Sequence, residues 1–169
     1  MITAFARLTA LVAACGLSAC TATIDSDASR ADTSFGATEY SEADFQCLRE
    51  AIYHEAGAKS LDGGRAVAHV IMNRAQDPRF PNSVCAVVSD GEAQGRCQFS
   101  YRCDGRPEVL ADRVKAETAT LAAKQVLEQP AADVTDGALF FHAAWMKPGW
   151  FGTLRRTTTL GGNIFYADR

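Results

Sequence analysis

The apolar pattern of this chain changes period once, and the change fixes the class of fold. From Ser41 to Gln129 apolar residues return at helical spacing; from Gly137 to Ala167 they form short β-rich runs. Ser41-Glu42-Ala43-Asp44 has the S-x-x-D pattern of a helix start, and Phe45, Leu48 and Ile52 follow at helical spacing. Gly57 is predicted to end that helix. A second helix is predicted over Leu61–Arg74, with Val67, Val70 and Ile71 as its core face. NSVCAVVS (82–89) reads as a short apolar turn or helix. Asp112 to Gln129 reads as an Ala-rich helix stopped by Pro130, with Val114, Leu121 and Val126 facing inward. GALFFHAAW then reads as a strand, and LRRTTTL, Gly161-Gly162 and NIFYA as a hairpin. Helices first and strands last predict an α+β domain, mainly helical, with a small antiparallel sheet near the C-terminus.

The residues before Ser41 do not join that pattern. Residues 1–19 hold one early positive charge, Arg7, and an apolar run from Leu8 to Ala19, the form of a secretory signal too short to span a membrane. Leu17-Ser18-Ala19-Cys20 resembles a bacterial lipoprotein processing box, which implies Cys20 as the lipid-carrying first residue of the mature protein. The alternative is a soluble secreted protein cut nearby. Residues 20–40, rich in Ser, Thr, Asp and Ala, bury too little surface to fold and suit a tether of roughly 25 Å reach. Residues 41–169 remain as one compact domain. The anchor implies a membrane partner, and Thr21 after Cys20 resembles signals that sort to the outer membrane, facing the periplasm. A formal net charge of −3 gives no hint of a nucleic-acid partner. A monomer is expected.

Cys47, Cys85, Cys97 and Cys103 are an even set in an exported domain, so two disulfides are expected. Of the three pairings, Cys97–Cys103 closes a short local loop, which leaves Cys47–Cys85. A four-cysteine zinc site lacks any C-x-x-C spacing. The loop DGEAQGRCQFSYRCDGRP (90–107) is long and aperiodic, as functional loops inside compact domains are.

The chemistry centres on AIYHEAGAK (51–59). A zinc protease helix needs H-E-x-x-H, and here His54-Glu55-Ala56-Gly57 is followed by Ala58; no metal or other cofactor is called for. No cysteine sits in a nucleophile elbow. Glu55 falls near Leu48 and Ile52 on the apolar stripe, and His54 on the flank. A carboxyl held there beside a groove has a raised pKa, as a glycosidase acid requires. The other reading is a buried glutamate paired with Arg65, Arg74 or Arg96.

CLREAIYHEA (47–56), GGRAVAHVIMNRAQDPRFPNSVCAVV (63–88), RCQFSYRCDG (96–105), ALFFHAAWMKPGW and GGNIFY together resemble the SleB/CwlJ type of bacterial cell-wall hydrolases over about residues 45–167. The resemblance implies a lysozyme-like fold and cleavage of peptidoglycan between N-acetylmuramic acid and N-acetylglucosamine, by lytic transglycosylation or hydrolysis, with Glu55 as the acid. Gln98, Phe99 and Ser100 are candidates to bind or stack on sugar, Asp104 is a candidate helper carboxylate, and His142 and Tyr166 are candidates for the groove wall. Trp145 and Trp150 flank a Pro-Gly turn where an exposed indole suits saccharide stacking. The chain departs from the family at Lys59, where a second glutamate is usual, and at Asn163, where a histidine is common. Lys59 keeps open an alternative, a non-catalytic peptidoglycan-binding envelope lipoprotein.

Overall fold

The computed structural model describes residues 40–56 and 60–169; the expected signal, lipidation site and tether, and Gly57 to Lys59, lie outside them. Helix α1 spans Glu42–Glu55 and opens on a full capping box. The Ser41 hydroxyl accepts from Asp44 N, and the Asp44 carboxylate accepts from Ser41 N at 3.2 Å. Helix α2 spans Leu61–Gln76 and is capped by Ser60. The short α3 spans Val84–Val88, and α4 spans Arg113–Glu128 behind an Asp112 cap. Strand β1 is Phe140–Ala143, β2 is Arg155–Leu160 and β3 is Asn163–Ala167. They form one antiparallel sheet in the order β1-β3-β2. The hairpin turn Gly161-Gly162 has φ of 55° and 82°, the pair of positive values that a type I′ turn requires. The predicted class, mainly helical with a small C-terminal sheet, is the one observed.

Leu48, Ile52, Val67, Ile71, Val126 and Leu127 fill the interior between α1, α2 and α4, each worth about 1.5–3 kcal/mol of burial. These helices pack closely because the contact residues are small. A Cβ on Gly64 would stand 3.0 Å from Ala122 Cβ and 3.1 Å from Ile52 Cγ2. That closeness corrects the expected inner face of α4. Val114 and Leu121 are about half exposed, and the buried face is Ala119, Ala122, Ala123, Val126 and Leu127. The space against Gly64 admits alanine and excludes the bulkier side chains that periodicity favours.

The sheet is fixed to α2 in two ways. Phe165 is fully buried against Ala66 and Val70. The Asn73 amide donates to Asp133 and to the Ala138 carbonyl, and Arg74 Nε donates to the Leu139 carbonyl at 2.8 Å. The Asn73-Arg74 pair therefore sets the backbone that enters β1.

The disulfides are Cys47–Cys85 and Cys97–Cys103. The first joins α1 to α3. The second closes the loop after α3, which Glu50 on α1 also holds, by accepting from the Tyr101 hydroxyl and from Arg102.

Candidate active site

Glu55 is the last residue of α1, and its side chain opens into a cleft of about 750 Å³, within the usual range for ligand sites. Arg74 from the last turn of α2 lines the floor. Gln98 and Ser100 from the stapled loop form one wall. The opposite wall is β1, the loop from Met146 to Leu154 and Asn163 of β3. The cleft thus lies between the helical part and the sheet.

Burial pushes the Glu55 carboxyl above its ordinary value, and the positive charges of Arg74 and Lys115 oppose that rise without cancelling it. The helix C-terminus, with its partial negative charge, acts in the same direction as burial. Among the described residues no cation pairs directly with the Glu55 carboxylate. The expected alternative, a salt bridge to Arg65, Arg74 or Arg96, is therefore not formed there. Arg74 is engaged otherwise. Its guanidinium lies 5.2 to 5.9 Å from the ring centres of Phe80, Phe99 and Phe140, an aromatic enclosure that holds the charge by cation–π attraction. Burial pulls its pKa down to about 10, so it remains a cation at neutral pH.

His54 faces elsewhere. Its ring stacks on Tyr101 at 4.3 Å, and its Nε2 lies 3.7 Å from Glu108. Burial lowers its pKa in spite of Glu108, so the ring is held neutral.

The structure brings Glu55, Gln98, Ser100 and His142 to one cleft and leaves three other candidates out of its lining. Phe99 is 1% exposed and belongs to the core. Phe99 sits just ahead of the 3-10 turn Ser100–Cys103 and its side chain is buried, while Gln98 and Ser100 on either side of it line the cleft. Asp104 is a turn former, accepting from Arg106 N at 2.8 Å in an exposed loop. Tyr166 is buried behind His142, with its hydroxyl 3.0 Å from His142 Nε2.

His142 Nδ1 lies 2.9 Å from the Ala143 carbonyl, which can only accept, so Nδ1 carries the proton. In the neutral ring Nε2 then accepts from Tyr166. Both ring nitrogens are engaged, and the imidazole serves as an aromatic wall. Trp150 packs edge-on against it at 5.6 Å and also lines the cleft, whereas Trp145 is 83% exposed and does not.

Sequence reasoning missed Phe140, Phe141, Met146 and Leu154 as lining residues and treated Arg74 only as a partner for Glu55. The F-F pair in β1 and the Met-Lys-Pro-Gly-Trp loop were the available signals. Asn163, noted as a departure from a family pattern, is 7% exposed and lines the cleft.

Comparison with known proteins bears on the family and the fold. The profile of the cell wall hydrolase family matches residues 58–166. The spore cortex-lytic enzyme of Halalkalibacterium halodurans is 32% identical over 127 residues, 75% of this chain and 35% of that protein. The one from Oceanobacillus iheyensis is also 32% identical over 127 residues, 75% of this chain and 42% of that protein. The chain thus spans less than half the length of these curated relatives. Among solved structures, the catalytic domain of the germination-specific lytic transglycosylase SleB from Bacillus anthracis aligns with a TM-score of 0.59 at 27% identity. The alignment covers 76% of this chain and 97% of that one. The catalytic domain of the Bacillus cereus SleB protein gives a TM-score of 0.59 at 26% identity, covering 83% and 99%. With the family profile matching most of the folded part and the fold shared with those catalytic domains, the chain belongs to the cell wall hydrolase family.

Proposed function

We propose that this chain cleaves the glycan strands of peptidoglycan between N-acetylmuramic acid and N-acetylglucosamine, as a lytic transglycosylase with Glu55 as the general acid and base. The observation that carries the reading is a single part-buried carboxyl, raised in pKa, in a cleft whose described lining holds no second carboxylate. A retaining or inverting glycosidase with two carboxylates needs a partner 5 to 10 Å away, roughly, as nucleophile or base. Asp104, the expected helper, lies in an exposed turn outside the cleft lining. The relatives named for lytic transglycosylation and cortex lysis support the same reaction class.

In the first step the protonated Glu55 donates to the glycosidic oxygen. The bond from C1 of the muramic residue to that oxygen breaks, the 4-hydroxyl of N-acetylglucosamine leaves, and positive charge develops at C1. In the second, the Glu55 carboxylate takes the proton of the muramic 6-hydroxyl as O6 bonds to C1. The product is a 1,6-anhydro sugar, and the proton is back on Glu55, so no water is consumed. Arg74 tempers the cost of the carboxylate that exists between the steps. The remaining wall residues, Gln98, Ser100, His142 and Trp150, hold the sugars in place.

The folded domain, residues 41–169, works in this account at the outer membrane facing the periplasm, tethered through lipid on Cys20 and residues 20–40. The lipoprotein-like sequence of residues 17–20 supports that placement, and a Cys20→Ser variant recovered in the soluble fraction is the corresponding expectation. Mass spectrometry of products from purified sacculi tests the reaction. Anhydro-muropeptide ends are expected, free reducing ends would make the enzyme a muramidase, and undigested sacculi would overturn the reading.

A further inference from the structure

A second groove, of about 490 Å³, continues from the cleft across His142, Met146 and Leu154, which line both. Its floor is apolar. Phe151 contributes to it, and two cations, Lys147 and Arg156, stand on its walls; its lining contains no carboxylate. Neither cation has an acidic partner among the described residues. The Arg156 guanidinium donates to the Thr159 hydroxyl. Its neighbour Arg155, by contrast, is paired with Asp136 at 2.9 Å. An open, concave apolar surface edged by unneutralised positive charge matches a ligand with small apolar side chains and free carboxylates.

We infer that this groove takes the peptide stem of the muramic residue bound in the cleft, with Lys147 and Arg156 receiving the stem's carboxylates. The inference rests on the proposed glycan cleavage. The stem hangs from the same sugar whose glycosidic bond is cut, so a groove continuous with the cleft is where it must run. Its alanine methyl groups suit the apolar floor. An anionic lipid surface offers the same charge, but a flat surface does not enter a concavity shared with the cleft.

The groove makes the enzyme selective for strands that carry peptides over strands stripped of them by an amidase. The test compares kcat/KM on sacculi and on amidase-stripped glycan, for wild type and for Lys147→Ala/Arg156→Ala. Wild type is expected to favour the peptide-bearing strands. In the double variant the ratio of the two rates falls by about three- to tenfold, the scale of two exposed ion pairs. Arg156→Lys, which keeps the charge, restores part of the ratio. A ratio near one in wild type, or a parallel fall on both substrates in the variant, overturns the inference and leaves glycan cleavage standing. Loss of binding to anionic vesicles with an unchanged ratio assigns the cations to lipid and also overturns it. If neither substrate is cleaved, glycan cleavage itself fails. Co-sedimentation with the two sacculus preparations then reads the same ratio without turnover, and equal binding overturns the stem site.

Discussion

The helical part, residues 42–128, and the sheet part, residues 138–167, handle apolar surface in opposite ways. In the helices most of it is turned inward, with Val114 and Leu121 of α4 as exceptions, and it is packed through glycine and alanine so that backbones approach closely. In the sheet part, Trp145, Met146, Trp150 and Phe151 stand exposed within one short loop. The contrast separates two tasks. The acid needs a fixed position and a desolvated setting, which the end of a tightly packed helix supplies. A polymeric sugar needs exposed surface for its rings and substituents, which the β1–β2 loop supplies. The cleft lies where the two parts meet, and its floor residue Arg74 belongs to both, lying on α2 and bonded to the strand entry.

Removing the cross-links tests the rigidity of the helical part. Cys47→Ala/Cys85→Ala opens a loop with a sequence separation of 38 residues. The chain-entropy loss corresponds to about 4 kcal/mol, read as a lower urea midpoint. Cys97→Ala/Cys103→Ala, with a separation of 6, is expected to cost about 2 kcal/mol. Its larger consequence is a raised KM, because Gln98 lies between those cysteines and Ser100 with it.

The joint between the two parts comes next. Gly161, at φ 55°, touches α2 so closely that a Cβ there would stand 2.4 Å from Gly63 Cα. Both atoms in that clash are held by backbone, so Gly161→Ala is expected to cost about 1–3 kcal/mol and to displace the hairpin. Equilibrium unfolding measures the cost. An unchanged midpoint would show that the two parts are not held in this contact.

The smallest effect sharpens the role of burial at the acid. The folded Glu55 carboxyl titrates above its ordinary value of 4.5, so between those pH values the native state holds a proton the unfolded chain has lost. Stability therefore falls as pH rises through that window and stays lowered above it. Glu55→Gln removes the penalty, and its melting temperature at pH 7 is expected to exceed that of wild type by about a few degrees. At pH 4 the two should melt together. A lower melting temperature for the variant at pH 7 would mean that the carboxylate is satisfied rather than desolvated.

What the sequence showed directly was local. The capping box at Ser41 and Asp44, the Gly161-Gly162 turn and the inward aim of Glu55 each depend on residues within a few positions of one another. What it concealed depended on contact between distant segments. The buried face of α4 is small because Gly64 of α2 lies against Ala122, and no periodicity within α4 carries that information. Phe99 was read with its neighbours Gln98 and Ser100 because nothing within an aperiodic loop tells which of three adjacent side chains meets the core. Tyr166 and His142 are on partner strands, but only their pairing reveals that one supports the other from behind. Arg74 was visible as a charge near Glu55, whereas its aromatic enclosure draws on three separate segments.

The central claim is that one carboxyl, Glu55, performs the proton transfers. Release of soluble muropeptides from purified sacculi by wild type and by Glu55→Gln, with folding of both verified by circular dichroism, tests it most directly. A loss of about 10²- to 10⁴-fold is predicted for the variant. Release by Glu55→Gln at a rate equal to wild type would contradict the account and move the acid elsewhere.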